Sequence, residues 1–98
     1  MALTVFWTKR AQKKFDKIIL YLEENWGETA TKNFVIKVYE LLDILKELPE
    51  MGSIQHEQKG TRGFVIIKQV KLFYKVSTNK IIILNLFETK QNPKKKGH

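Results

Sequence analysis

The sequence predicts one α+β domain with its elements in the order β-α-α-β-β-β. Three observations predict it. A short β-branched and aromatic run opens the chain. Two long stretches follow whose apolar residues recur at spacings of three and four. Three strand-like runs separated by turn residues close it. A helical hairpin followed by a β-meander packs as two layers, with the helices against one face of an antiparallel sheet. The expected core is therefore a single one, spanning residues 1–98, with 91–98 read as a flexible basic tail.

Each element has a local cause. Leu3 to Trp7 (LTVFW) suits a strand, expected to join the sheet at an edge. Thr8 offers a side-chain oxygen to the start of the first helix. Ala11, Phe15, Ile18, Ile19, Leu22 and Trp26 form its apolar stripe; Lys13, Lys14, Asp16, Lys17, Glu23 and Glu24 lie off it. Gly27 supplies the left-handed stop. The second helix is expected to start at once, with Thr29 as a cap. Its stripe is Ala30, Phe34, Val38, Leu41, Leu45 and Leu48, widened by Val35 and Leu42, and Pro49 ends it. So short a connection makes an antiparallel αα-hairpin.

Residues 50–63 (EMGSIQHEQKGTRG) have no period and contain three glycines, so they read as a loop that opens a strand late. The strands are expected at Phe64–Lys68, Lys71–Ser77 and Ile81–Phe87, with STNK a hairpin turn and KQVK a weaker one because of Val70. Alternation places Leu72, Tyr74 and Val76 on one face, and Phe73, Lys75 and Ser77 on the other. In the last strand it sets Ile82, Leu84 and Leu86 against Ile81, Ile83, Asn85 and Phe87. Both faces of that strand are apolar, and one hairpin covers one face. The other is left as an apolar surface among Lys68, Lys71 and Lys75, the pattern of a binding surface. The competing expectation is that residues Met51–Lys59 or the first strand fold over it.

Composition narrows the chemistry. There is no cysteine, hence no disulfide, thiolate nucleophile or thiolate metal site. His56 and His98 lack ligand spacing, and neither a metal nor a cofactor is expected. His56 near Ser53 has no nucleophile-elbow context and reads as a loop residue. No apolar run reaches the length of a membrane span and no signal peptide opens the chain, so a cytoplasmic location is expected and no membrane partner. Eighteen Lys and Arg against ten Asp and Glu give a net charge of +8, which attracts nucleic acid or an acidic protein. Only Arg10 and Arg62 are arginines; the rest are lysines, which bind phosphate as diffuse point charges. The cations near the sheet are Lys59, Arg62, Lys68, Lys71, Lys75 and Lys90, interleaved with Phe64, Phe73, Tyr74 and Phe87.

TKRAQKKFDKIILYLEENWG, LPEMG, Arg62 opening a strand, LFYKV and IIILNLFETKQNP occur in an order and spacing that resembles the RelE/ParE superfamily of type II toxin–antitoxin toxins over nearly the whole chain. The resemblance implies a growth-inhibiting toxin, of the plasmid-stabilisation kind, neutralised by an antitoxin with an acidic C-terminal segment, and an oligomer formed with that antitoxin. RelE-like members cleave mRNA on the ribosome with basic residues on the sheet; ParE-like members poison DNA gyrase. Arg62 and Lys71 match basic positions of the RelE-like pattern. Phe64 stands where a second strand lysine is expected, Gln91 where an arginine is expected with Lys90 just before it, and the tail has no tyrosine. The ParE-like pattern often closes the last strand with a His and Arg pair, where this chain has Glu88 and Lys90. The departures from the RelE-like pattern, with the long helical hairpin and LPEMG, favour a ParE-like binding toxin and lean away from an enzyme. The candidate target- or antitoxin-binding residues are then Arg62, Lys68, Lys71, Phe73, Lys75, Phe87 and Lys90. An mRNA endonuclease using Arg62, Lys71 and Lys90 stays open, as does a non-toxic module that binds RNA or protein.

Overall fold

The computed structural model describes residues 3–56 and 60–88. In chain order the elements are β1 (Thr4–Trp7), α1 (Lys9–Trp26), α2 (Glu28–Glu47), β2 (Ser53–His56), β3 (Thr61–Ile67), β4 (Val70–Val76) and β5 (Lys80–Glu88). The strands form one five-stranded sheet in the order β1-β5-β4-β3-β2. β1 lies at one edge, as expected, and pairs with β5 in parallel, Trp7 opposite Ile83; the other pairings are antiparallel. The α+β class and the helical hairpin are as the sequence predicts. The added strand is β2, whose SIQH carries one apolar residue and so has no alternation to read.

Thr8 caps α1 as expected: its Oγ1 accepts from the Ala11 N–H at 3.1 Å and donates to the Ile83 carbonyl at 2.8 Å, tying the helix start to β5. Gly27, at φ 94°, belongs to both helices. It donates to the Leu22 carbonyl and accepts from both the backbone N–H and the hydroxyl of Thr31. The cap of α2 is thus Gly27 rather than Thr29, because a one-residue junction leaves no room for a separate Ncap.

Both stripes point into the core. Ala11, Phe15, Ile18 and Leu22 meet Phe34, Val38, Leu41, Leu42 and Leu45 over Ile66, Val70, Leu72, Tyr74, Ile81, Ile83 and Leu86. Trp7, Phe15 and Phe34 make a run of tilted ring contacts with centroids 5.0 and 5.9 Å apart. The stripes end sooner than predicted: Trp26 and Leu48, the last residue of each, are more than half exposed.

Two irregularities reset the sheet. The β3–β4 turn is Lys68–Gln69, so Val70 belongs to the strand and is buried, one residue earlier than expected. Between β4 and β5 the register slips so that Phe73 faces Asn85 while Tyr74 faces Ile83. Leu84 is the extra residue of this bulge. Beyond it the alternation inverts, so Leu86 joins Ile81 and Ile83 in the core, in contrast to the face predicted for it.

Candidate functional site

Helices cover one face of the sheet. On the other, pairing sets side chains in rows. Lys71, Phe73 and Lys75 of β4, the middle strand, stand opposite Val65, Gly63 and Thr61 of β3, and opposite Phe87, Asn85 and Ile82 of β5. β1 and β2 extend the sheet sideways and do not fold over it, so among the described residues this face is open. Phe87, Val65 and Phe6 are each more than half exposed on it. Lys71 Nζ lies 5.6 Å from the Phe73 ring centroid and donates to Gln55 Oε1 at 3.2 Å; Lys80 sits 5.7 Å over Phe6. An apolar centre with ordered ammonium groups around it can bury aromatic or aliphatic groups of a partner and pair with its carboxylates.

The structure brings four of the predicted residues together here: Lys71, Phe73, Lys75 and Phe87. Lys68 is exposed at the tip of the β3–β4 turn, away from the centre of the face. Lys59 and Lys90, like Gln91 and the rest of the tail, lie outside the described residues. Val65, Ile82, Phe6, Lys80 and Gln55 are members that sequence reasoning did not single out. Phe6 and Ile82 were readable from strand alternation once β1 was paired with β5 in parallel.

Arg62 is somewhere else. It pairs with Tyr74 and points to the helix side, where its Nη1 donates to the carbonyls of Gly52 at 2.8 Å and Glu50 at 3.2 Å. Tyr74, fully buried, donates its hydroxyl to the Pro49 carbonyl at 2.7 Å and accepts from the Gly52 N–H at 2.9 Å. Together the two side chains hold the LPEMG segment that carries the chain from α2 into β2. Within that segment the Leu48 and Met51 N–H groups bond to the Ile44 and Leu48 carbonyls, while side chains take the Pro49, Glu50 and Gly52 carbonyls and the Gly52 N–H.

Burial pushes the Tyr74 phenol above its ordinary value of 10.0, against the opposing pull of the Gly52 N–H and of the Arg62 charge; Glu50 adds to the rise. A folded-state pKa above the unfolded one means that the unfolded chain loses its proton first. This contribution is therefore complete below pH 10 and is lost as pH rises through the folded-state value. Denaturant titrations should show stability falling above about pH 10, and Tyr74→Phe should remove that part of the slope. At neutral pH the same variant should lose about 1–3 kcal/mol, because the Gly52 N–H is left unpaired. An alkaline profile identical to wild type would exclude Tyr74 as its source.

Among the described residues no group of three or more His, Asp or Glu is placed to hold a metal ion, and no helix is long and apolar enough to cross a membrane.

The sequence matches, over residues 5–93, a family model described as the ParE toxin of the type II toxin–antitoxin system parDE. No curated relative matches it. Among solved structures, a chromosomal ParDE toxin–antitoxin system from P. aeruginosa superposes with a TM-score of 0.73 at 19% identity, covering 91% of this chain and 98% of that one. The RelBE2 toxin–antitoxin complex from Mycobacterium tuberculosis gives 0.64 at 18% identity, with 90% and 99% covered. A mutant of the E. coli toxin RelE in the free state gives 0.63 at 14%, with 98% and 93% covered. At such identities the likeness is one of fold.

Proposed function

This chain belongs to the ParE toxin family of type II toxin–antitoxin systems, and from that membership we propose that it arrests growth by binding DNA gyrase through the open sheet face, without cutting RNA. The carrying observation is the division of the cations. Cleavage of a phosphodiester needs a base, an acid and charges converging on one phosphate. Arg62 is committed to two carbonyls on the helix side, while Lys71 stands on the open face with Gln55 and Phe73. A protein partner, by contrast, needs an apolar centre with a charged rim, which Phe73, Phe87, Val65, Lys71 and Lys75 supply. The neutralising partner in this reading is a cognate antitoxin whose acidic segment lies along the same lysines, steered by the +8 charge. The solved ParDE and RelBE2 systems are toxin–antitoxin assemblies, which supports a partner of that kind.

Purified toxin should inhibit supercoiling by purified gyrase; normal supercoiling at large toxin excess would sink the assignment. The two cations should separate cleanly. Lys71→Ala should weaken inhibition about tenfold, the loss of roughly 1.4 kcal/mol of binding, with little change in melting temperature. Arg62→Ala should lower stability by about 1–2 kcal/mol, since it removes hydrogen bonds from a charged donor, and leave inhibition per folded molecule intact. If translated mRNA instead acquires new cuts within codons, and the double variant abolishes both cuts and arrest, the protein is a RelE-like nuclease.

A further inference from the structure

The first half of α1 carries Lys9, Arg10, Lys13, Lys14 and Lys17, and with Asn85 of β5 they line a groove of about 510 Å³. The groove lies where β1 has ended opposite Ile83 and β5 runs on with no further strand on that side among the described residues. Asn85 Oδ1 accepts from the Leu86 N–H at 2.9 Å, which leaves its NH2 group as the outward-acting half of the amide. Every polar side-chain group remaining in the lining is a donor. Among the described residues the one ion pair is Lys46–Asp43, so none of the five cations is paired; Asp16, in the same stretch, accepts from Gln12 instead.

This arrangement works against the helix that bears it. The first turn has no acidic residue and two cations, which oppose the macrodipole. Lys9, Lys13 and Lys17, and Arg10 and Lys14, are like charges one turn apart, which repel. A local conflict that packing does not explain points to a ligand.

We propose that the α1–β5 groove grips the phosphate backbone of duplex DNA, independently of which protein the toxin poisons. The lining favours that class over an acidic peptide. It holds no apolar anchor, which protein interfaces need at their centre, whereas Lys, Arg and Asn donors to phosphate oxygens dominate DNA interfaces. It also holds no aromatic ring on which unstacked bases could lie, as single-strand sites require. Lys9, Lys13 and Lys17 rise along one ridge at about 6 Å per step, a rigid row that can follow a backbone. Such contacts position the protein and carry no sequence preference.

The test is fluorescence anisotropy of the full chain with a labelled mixed-sequence DNA duplex and with a single-stranded RNA of equal length, across a salt series. The expected result is tighter binding of the duplex. Lys9→Gln/Lys13→Gln/Lys17→Gln should weaken it at least tenfold and make the salt dependence shallower by about 3 in log–log slope. The corresponding arginine triple variant should retain binding. The control Lys32→Gln/Lys37→Gln/Lys46→Gln removes the same charge from α2 and should lose far less. Equal loss in both glutamine variants would show bulk attraction only and overturn the groove. So would RNA bound as tightly as duplex, or an acidic peptide that needs the same three lysines while DNA does not. Supercoiling inhibition is read separately, so failure here does not count against the gyrase assignment.

Discussion

Gly52→Ala is expected to cost this protein about 3 kcal/mol or more, Gly52 being the most crowded of the glycine positions among the described residues. A Cβ at this position would stand 2.7 Å from the Tyr74 hydroxyl oxygen, 2.8 Å from the Gly63 carbonyl oxygen and 2.8 Å from the Tyr74 ring. Two of these neighbours are a fully buried ring and its hydroxyl, and the third is the backbone of β3, so none swings aside. The backbone of Gly52 is not in the left-handed region; the requirement is space. Overpacking of this kind costs about 1–3 kcal/mol. Displacing Tyr74 adds a similar amount, because the Gly52 N–H and the Pro49 carbonyl both lose the same hydroxyl. For a domain of this size the melting temperature should fall by more than about 10 °C. Thermal unfolding followed by circular dichroism measures it. The combination with Tyr74→Phe is informative: the two losses should add to less than their sum, since each breaks the same bonds. A fall of under about 1 kcal/mol would mean that the LPEMG segment moves freely over the sheet, against the overpacking cost expected here.

Phe73→Ala is expected to have the largest effect on action. Phe73 sits on the central strand, half-buried, with Lys71 over its ring and Phe87 and Val65 diagonal to it. Aromatic residues at the centre of an interface, ringed by contacts that exclude water, carry more than about 2 kcal/mol. The toxin concentration that half-inhibits supercoiling should therefore rise roughly thirtyfold. Growth arrest on induction should fade in parallel, while far-UV circular dichroism stays native. Unchanged inhibition by a folded Phe73→Ala protein would move the target surface off the sheet.

Much of this was legible in the residues. The helices were, because a stripe of period 3.6 states both the element and its buried side; Ala11, Phe15, Ile18 and Leu22 are all in the core. Lys71, Phe73 and Lys75 were, because alternation along β4 is unbroken. What escaped turned on single-residue slips. Without the bulge at Leu84, Leu86 would lie on the open face. Without the shift between Val65 and Ile67, a two-residue turn at Lys68–Gln69 would set Arg62 opposite Lys75, beside the other cations, and not opposite Tyr74. A strand reverses both faces for one inserted residue, and no propensity marks the insertion. The separation of Arg62 from Lys71, on which the choice between binding and cleavage leans, was thus invisible to pattern. β2 escaped for a simpler reason: it is polar, at the edge, and recruited by the neighbour it pairs with.

The parallel pairing of β1 with β5 also sets a timetable. Thr4 bonds to Asn79, 75 positions later in the chain. β1 must wait for β5, through roughly 4–15 s of synthesis at about 5–20 residues per second. Through that interval the helical hairpin can form, since its contacts are local, but the sheet cannot close. The open face, whose middle rows need β5, comes into being only after β5 has been made. On the proposed reading, the surface that engages gyrase is therefore absent until those seconds have passed.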